Sequence, residues 1–285
     1  IHEKTGAGDL GVDRNNPRKL IVNMWEYRRA PWFFTSGGPS GGLFITYDGG
    51  EHWKKLGEED GLPKGNLGRI GLGIAPSNSN IVYALVETEK KNGVYKSTNG
   101  GKNWFKVTES EQAGNRPFYY ADLRVDPQNP DRVYSLWTYV TRSDDGGKNW
   151  KNVTPKNIGE GIINSIEVSP HNPAKAYIAV MRYKLMDLKP YIFKTEDFGE
   201  SWSLITEGIE GAHTFVRVVR ADKKVPGLLY AGTETGFYIS YDDGQHWKSF
   251  QGNLPVVPIN DLFIQDNDMI AAISPTALPT ENFPS

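Results

Sequence analysis

The sequence predicts an all-β fold, a β-propeller of four-stranded antiparallel blades with five complete blades plus a partial sixth. One eight-residue phrase, [Ser/Thr]-x-[Asp/Asn]-x-Gly-x-x-Trp, occurs five times, and we call it the turn phrase. Its tryptophans lie 51, 46, 52 and 45 residues apart. A repeat of about 45–50 residues with turn residues and an aromatic anchor is typical of propeller blades. The turn phrases occupy residues 46–53, 97–104, 143–150, 195–202 and 240–247.

Each turn phrase predicts the tip of a β-hairpin. A short run with alternating apolar residues, such as Leu43–Ile45, precedes it, and another run, such as Ser203–Ile205, follows a Trp. The Asp-x-Gly core supplies a residue that tolerates positive φ and a side chain that bonds its own backbone. We expect the Trp to pack between neighbouring sheets. The regularly spaced aspartates of the turn phrases could suggest calcium loops, but no Glu lies at the spacing that an EF-hand requires, so we predict no metal site. We also predict no cofactor.

A second recurring string begins 24–40 residues before each Trp. In the third repeat it reads Asp126-Pro-Gln-Asn-Pro130, and it joins the apolar run Leu123–Val125 to Tyr134–Leu136. Because Pro and Asn favour turns, each string predicts a link between two strands. Each repeat therefore supplies four strands. The expected blades span about 6–57, 65–108, 116–154, 162–206 and 213–251, within one propeller domain over residues 1–273.

The partial sixth blade is expected over residues 259–273. Its two predicted strands are Leu262–Ile264 and Met269–Ile273, and the Pro- and Thr-rich residues 274–285 are expected to form a tail. Natural propellers avoid exposed strand edges. We therefore expect an unusual ring closure, a longer parent protein, or self-association or a partner chain that completes this blade.

Composition limits the possible partners and compartments. The chain has 285 residues, with 12% aromatic and 38% hydrophobic content, enough to bury a large core. Its net charge of −2 disfavours nucleic acid as a partner. No apolar run is long enough to span a membrane. The absence of cysteine excludes disulfides and a Cys nucleophile, and it is compatible with a secreted protein as readily as with a cytosolic one. The start at Ile1 suggests a processed or trimmed chain, and we expect a secreted or periplasmic protein.

Three carboxylates are candidate catalytic residues. Alignment of the repeats on their Pro turns places one residue of each repeat just ahead of its inner strand, in what we call the column. Two carboxylates roughly 5–10 Å apart could cleave a glycoside as acid and base or nucleophile. The alternative is that each Asp caps its strand through local backbone bonds. The column consists of Asp9, Gly71, Asp122, Ser165, Val218 and Asp261, and the candidates are Asp9, Asp122 and Asp261.

Departures from the repeat supply candidate ligand-binding residues. They lie in residues 24–38, in residues 114–122, and in the matching approach to the fifth repeat, residues 210–217. Aromatic faces stack on sugar rings, and Arg holds carboxylates. The structural alternative is that the aromatic rings fill the channel and the arginines pair with rim aspartates. The candidates are Trp25, Glu26, Arg28, Arg29, Trp32, Arg116, Tyr119, Tyr120, His213 and Arg217.

The turn phrase resembles the Asp-box, or BNR repeat, of sialidases, xyloglucanases, sortilin ectodomains and photosystem II assembly factors. In those families it is a fold element on the outside of a blade, away from the ligand face. Further strings, including Trp25–Arg29, Gly65–Ile70 and Leu228–Asp242, resemble bacterial sortilin-like propeller proteins that are often labelled glycosyl hydrolases. The resemblance runs to about Ala272. Those proteins are longer, with further blades after the position of Val153.

The leading expectation is a secreted or periplasmic propeller of bacterial type that binds a peptide or glycan at the channel face. The first alternative is a xyloglucanase-like glycoside hydrolase that uses the column carboxylates, which requires two of them in one cleft and a raised pKa. The second is a scaffold without catalytic activity. A sialidase is disfavoured because no Arg-Ile-Pro string occurs near the start, although Arg28, Arg116 and Arg217 could meet by folding.

Overall fold

The computed structural model describes residues 3–89, 92–109, 111–114, 118, 121–265 and 267–274. These residues form antiparallel strands and three short 3-10 turns, at Glu58–Asp60, Glu111–Ala113 and Tyr183–Leu185. None of these helical segments is long and apolar enough to cross a membrane. The chain divides into two compact units, Ile1–Thr154 and Pro155–Ser285, so the single domain expected from the sequence stays a prediction.

The first unit contains three antiparallel sheets. In each sheet four strands pair in chain order, and sheet 1 carries an additional strand, β3, paired with β2. Sheet 1 comprises β1 (Thr5–Val12), β2 (Leu20–Ala30), β3 (Phe33–Ser36), β4 (Gly42–Thr46) and β5 (Lys54–Leu56). Sheet 2 comprises β6 (Leu67–Ile74), β7 (Val82–Thr88), β8 (Gly93–Ser97) and β9 (Phe105–Thr108). Sheet 3 comprises β10 (Asp122–Val125), β11 (Val133–Leu136), β12 (Val140–Ser143) and β13 (Lys151–Asn152).

The second unit contains two four-stranded sheets and one two-stranded sheet. Sheet 4 comprises β14 (Ile162–Val168), β15 (Ala176–Met181), β16 (Ile192–Thr195) and β17 (Ser203–Leu204). Sheet 5 comprises β18 (Val216–Ala221), β19 (Leu229–Thr233), β20 (Phe237–Ser240) and β21 (Lys248–Ser249). Sheet 6 comprises β22 (Ile259–Gln265) and β23 (Asp268–Ile273). The prediction of four-stranded antiparallel sheets is confirmed.

The turn phrase closes the hairpin between the third and fourth strands through its own hydrogen bonds. In the third phrase the Ser143 hydroxyl accepts the backbone N–H of Gly147 at 2.9 Å and donates to Asp145 at 2.9 Å. The Asp145 carboxylate accepts the backbone N–H of Asn149 at 2.9 Å. The indole N–H of Trp150 donates to the carbonyl of Gly147. The fourth position needs positive φ and is Gly49, Gly100, Gly146, Phe198 or Asp243.

Three of the five turn-phrase tryptophans pack on the sheet that precedes them, as the sequence predicts. Trp104 lies in one apolar cluster with residues of sheet 1, Trp150 with residues of sheet 2, and Trp247 with residues of sheet 4. All three are buried. Trp53 belongs to the first sheet of its unit and keeps 41% of its surface exposed. The core therefore lies between sheets, and the tryptophans help to form it.

Candidate functional site

Strand β2 is unusually long and carries most of the predicted binding residues. Beyond its pairing with β1 it pairs with β3, with Tyr27 opposite Ser36 and Arg29 opposite Phe34. Paired residues share one face of a sheet, and alternate residues along a strand share it too. Trp25, Tyr27, Arg29 and Phe34 therefore lie on one side of this hairpin, which we call the hairpin face.

The rings of the hairpin face are held in a defined arrangement. Trp25 and Tyr27 stack with their centroids 4.2 Å apart. Phe118 approaches Trp25 edge-on at 5.1 Å and lies 5.0 Å from Phe34. The guanidinium of Arg69 lies 5.5 Å from the Trp25 ring centre. Offset and edge-on contacts of this kind favour one orientation of each ring, so the face is organised before any ligand arrives.

Polar contacts with sheet 2 anchor the same hairpin. The indole N–H of Trp25 donates to the Ser36 hydroxyl at 2.9 Å, and that hydroxyl donates to the Glu87 carboxylate. The same Glu87 oxygen accepts the backbone N–H of Arg69 at 2.8 Å. Glu87 thus fixes both strands of the hairpin to the sheet behind it.

Glu26 fastens the loop that follows the hairpin. Its carboxylate accepts the backbone N–H of Ser40 at 3.1 Å and the Ser40 hydroxyl at 2.7 Å. A Cβ at Gly38 would lie 2.2 Å from this carboxylate, so the close approach requires glycine. This predicted binding residue is therefore engaged in local structure.

The tip of the hairpin is open to solvent. Trp32 keeps 81% of its surface exposed, and Phe33, Phe34 and Tyr27 are exposed as well. The side chains of Arg28 and Arg29 also lie on this exposed segment. Exposed aromatic residues gathered on one element are a feature of interaction sites.

Two of the column residues join neighbouring inner strands through their side chains. The Asp9 carboxylate accepts the backbone N–H of Leu72 in β6 at 2.8 Å, and the Ser165 hydroxyl accepts that of Val219 in β18 at 3.2 Å. An inner strand lies at the edge of its sheet, so these N–H groups gain partners from the adjacent sheet. A Cβ at Gly71 would lie 1.8 Å from the Ala121 carbonyl oxygen, which explains the glycine in this column position.

Asp9 and Asp122 lie in the same unit, and the charge of Asp122 acts on Asp9. Burial raises the pKa of the Asp9 carboxyl above its ordinary value, and the negative charge of Asp122 raises it further. The hydrogen bond from Leu72 and the positive charge of Arg124 act in the opposite direction. Asp122 forms a salt bridge with Arg124. Asp9 also accepts the backbone N–H of Leu10 at 2.8 Å, so both of its oxygens are bonded.

The remaining described candidates lie in the second unit. Asp261 is largely exposed, accepts the backbone N–H of Leu262 at 2.8 Å and pairs with Arg220. The Nε of Arg217 donates to Glu234 at 2.6 Å, so this charge is neutralised. His213 is exposed and has a positive φ of 62°. Arg116, Tyr119 and Tyr120 lie outside the described residues.

The structure thus brings Asp9, Asp122 and the hairpin residues Trp25, Glu26, Arg28, Arg29 and Trp32 into one unit. Sequence reasoning did not select Tyr27, Phe34, Arg69 or Glu87. The period of two along β2 could have found Tyr27, since it follows Trp25 on the same face. Arg69 and Glu87 carry no local signal, because they come from another sheet.

One group of side chains has atoms close enough to hold a metal ion. Among the described residues, Asp48, Glu51 and His52 form the only group of three whose ligand atoms lie within 4.8 Å of one another. His52 bonds Asp48 at 2.8 Å, and His246 bonds Asp242 at 2.7 Å at the same positions of the fifth turn phrase. This recurrence indicates a contact of the turn itself.

Comparisons with known proteins identify the fold. No protein-family model matches the chain. The xyloglucanase Xgh74A of Acetivibrio thermocellus is 30% identical over 125 residues, which cover 39% of this chain and 14% of that protein. The chain therefore spans a small part of this curated relative.

Solved structures give the wider match. The GH74 enzyme of Niastella koreensis superposes with a TM-score of 0.60 and 19% identity over 86% of this chain and 38% of that one. YCF48 bound to the D1 peptide superposes with a TM-score of 0.60 and 14% identity, over 95% and 75% of the two chains. Both neighbours are β-propellers. The predicted fold class is confirmed: the chain has a β-propeller fold of four-stranded antiparallel sheets.

Proposed function

We propose that this chain is a secreted or periplasmic propeller that binds a glycan through the hairpin face and the hairpin tip. The observation that supports it is the exposed group of aromatic rings on the β2–β3 hairpin, of which Trp32 is the most exposed, together with the stacked pair Trp25 and Tyr27. In this proposal the turn phrases are the Asp-boxes of a sortilin-like bacterial propeller, and their role is structural.

The chemistry of the hairpin suits a sugar chain. Aromatic rings offer flat apolar faces, and such contacts contribute about 0.5–1.5 kcal/mol each beyond area burial. The guanidinium groups of Arg28 and Arg29 can donate several hydrogen bonds to hydroxyl or carboxylate oxygens. Sequence similarity to a xyloglucanase favours a glycan over a peptide, and the peptide bound to YCF48 makes a peptide the competing ligand.

The proposal is tested by calorimetric titration with xyloglucan oligosaccharides, other glycans and a peptide library. Trp32→Ala and Phe34→Ala should each weaken glycan binding about tenfold, since one stacking contact is worth about 1 kcal/mol or more. Phe105→Ala is the matched control, because Phe105 is an exposed aromatic residue on β9, and it should leave affinity unchanged. Binding of peptides alone, or glycan binding insensitive to both hairpin variants, would contradict the proposal.

A second candidate function is glycoside hydrolysis. Its support is the raised pKa of Asp9 beside the charge of Asp122, because glycosidases need one protonated and one ionised carboxyl. Asp9 would be the acid and Asp122 the base or nucleophile. The engagement of both Asp9 oxygens with backbone N–H groups favours binding as the first candidate.

Release of reducing ends from a polysaccharide panel tests this second candidate. If the chain hydrolyses a glycan, Asp9→Asn and Asp122→Asn should each abolish the activity while glycan binding persists. Asp131→Asn, which alters an exposed carboxylate paired with Lys96, serves as the control and should remain active. Activity that survives both column variants would exclude these carboxylates.

A further inference from the structure

A cavity in the first unit borders the base of the β2–β3 hairpin. It has a volume of about 130 Å³, and a cavity of about 150 Å³ can hold a benzene ring, so there is room for one six-membered ring. Its walls come from the segment after β3, from β5 and from the segment between β5 and β6. Many of its lining residues are glycines, which leave main-chain atoms open to a ligand. They are Gly38, Gly41, Gly42, Gly57 and Gly65.

The hairpin holds one wall of this cavity in place. The carboxylate of Glu26 in β2 accepts the backbone N–H and the hydroxyl of Ser40, which stands between the lining residues Gly38 and Gly41. The backbone N–H of Gly37 donates to the carbonyl of Glu26 at 2.9 Å. The segment that follows the hairpin is therefore fixed to β2, and the cavity and the hairpin form one continuous arrangement.

Two lysines supply the positive charge of the cavity. The Nζ of Lys55 in β5 donates to the carbonyl of Pro39 at 2.8 Å, which places this ammonium group beside the segment after β3. An ammonium group has three N–H donors, so Lys55 keeps two for a ligand. Lys64 is exposed, and its side chain has no hydrogen bond or ion pair in the described part of the chain. Both lysines line the cavity, so an anion there would meet two cations.

The other polar side chains that line the cavity are those of Glu58 and Asn66. Both residues are exposed, and neither side chain has a partner among the residues that the structure describes. A carboxylate accepts hydrogen bonds, and an amide both donates and accepts them, so the two can bond sugar hydroxyls. With Lys55 and Lys64, the lining side chains carry two positive charges and one negative charge. The cavity therefore favours a ligand that has hydroxyl groups and a negative charge.

We propose that this cavity is a subsite for one uronic acid unit of an acidic glycan. Lys55 and Lys64 bind the carboxylate of the sugar through charge-assisted hydrogen bonds, and Glu58 and Asn66 bond the hydroxyl groups of its ring. A neutral sugar unit leaves both ammonium groups without an anion, so the chain prefers the acidic glycan. This inference rests on the proposed function, because it names the class of glycan that the hairpin binds and the place of its charged unit.

Matched oligosaccharides that differ only in the oxidation of the exocyclic carbon test this preference. Calorimetric titration compares glucan and mannan oligosaccharides with glucuronan and mannuronan oligosaccharides of the same linkage and length. The acidic member of a pair should bind about tenfold more tightly, since each of two solvent-exposed charge contacts contributes about threefold. Raising the ionic strength from about 0.01 M to about 1 M should reduce the preference, because the screening length falls from about 30 Å to about 3 Å.

Variants of the two lysines test the site itself. Lys55→Gln and Lys64→Gln should each lower the preference for the acidic oligosaccharide about threefold, and together they should abolish it, while the affinity for the neutral oligosaccharide stays unchanged. Lys148→Gln is the matched control, because Lys148 is an exposed lysine of the same unit that lies in the third turn phrase, outside the cavity. An equal affinity for both members of each pair, or a preference that persists in the double variant, would overturn the inference.

The same titrations separate this inference from the proposed function. Equal affinity for both members of a pair, weakened by Trp32→Ala, would support the hairpin as the glycan site and overturn the acidic subsite. A preference for the acidic member that the lysine variants abolish and Trp32→Ala leaves unchanged would support the cavity and contradict binding at the hairpin tip. Binding of no member of either pair would overturn the acidic subsite, and the wider glycan panel would then decide the proposed function.

Discussion

The carboxylate of Asp9 accepts two backbone hydrogen bonds, one from Leu10 in its own strand and one from Leu72 in the next sheet. It is half-buried and lies within the influence of a like charge, Asp122, and of Arg124. Burial and the charge of Asp122 raise the pKa of Asp9 more than the two hydrogen bonds and the charge of Arg124 lower it, so this pKa lies above its ordinary value. One residue thus joins two strands and has a raised pKa.

At the residue scale, Asp122→Asn should lower the pKa of Asp9. The substitution removes a like charge and frees Arg124 to act on Asp9 alone, but burial, the largest cause, remains. We expect a drop that leaves the value above normal, measured by carbon-detected NMR titration of the Asp side chains. Asp131→Asn should leave the pKa of Asp9 unchanged. An unchanged pKa of Asp9 in the Asp122→Asn variant would refute the electrostatic effect of Asp122 on Asp9.

The hairpin closed by the turn phrase is the recurring element of this fold. Its hydrogen bonds are local, and the same set appears with Ser or Thr first and with Asp or Asn third. What differs between copies is the burial of the Trp. Trp104 is 4% exposed because it packs on sheet 1, whereas Trp53 belongs to the first sheet of its unit and is 41% exposed.

At the element scale, Trp104→Ala should destabilise the first unit by about 3–5 kcal/mol, the usual cost of removing a buried aromatic residue. Trp53→Ala should cost less, since 41% of its surface already contacts solvent. Urea denaturation with probes in the first unit measures both. Equal losses in the free energy of unfolding would mean that Trp53 is as well buried in solution as Trp104.

Because the chain divides into two compact units, its unfolding cannot be assumed to be two-state. Both units should nevertheless lose stability in acid, because turn phrases with Asp occur in both of them. Hydrogen bonds from Ser201 lower the pKa of Asp197 to about 2, and those from His246 lower that of Asp242 to about 2. Burial raises the pKa of Asp145, but the hydrogen bonds from Asn149 lower it by more, so that this pKa is also about 2.

At the scale of the whole molecule, stability should therefore fall as pH drops from about 4 to about 2. The folded pKa values lie below the unfolded one, so the unfolded chain binds more protons in this range. Asp145→Asn, Asp197→Asn and Asp242→Asn combined should flatten the fall, since Asn99 already fills this position in the second phrase. Circular dichroism melts between pH 2 and 7 measure it, and an unchanged acid limb in the triple variant would refute the assignment.

The sequence by itself determined the turns that close the hairpins, because their hydrogen bonds join residues two to four apart. It also determined the order of strands within each sheet, because the repeat of alternating apolar runs and turn residues places consecutive strands side by side. It also located residues 24–38 as a break in the repeat, but as a loop, whereas the structure forms a hairpin of β2 and β3 there. Only the tertiary structure decided which partner each side chain meets. Asp9 bonds Leu72, and Glu87 anchors Trp25 through Ser36, since contacts between sheets join residues far apart in sequence and depend on how the sheets pack.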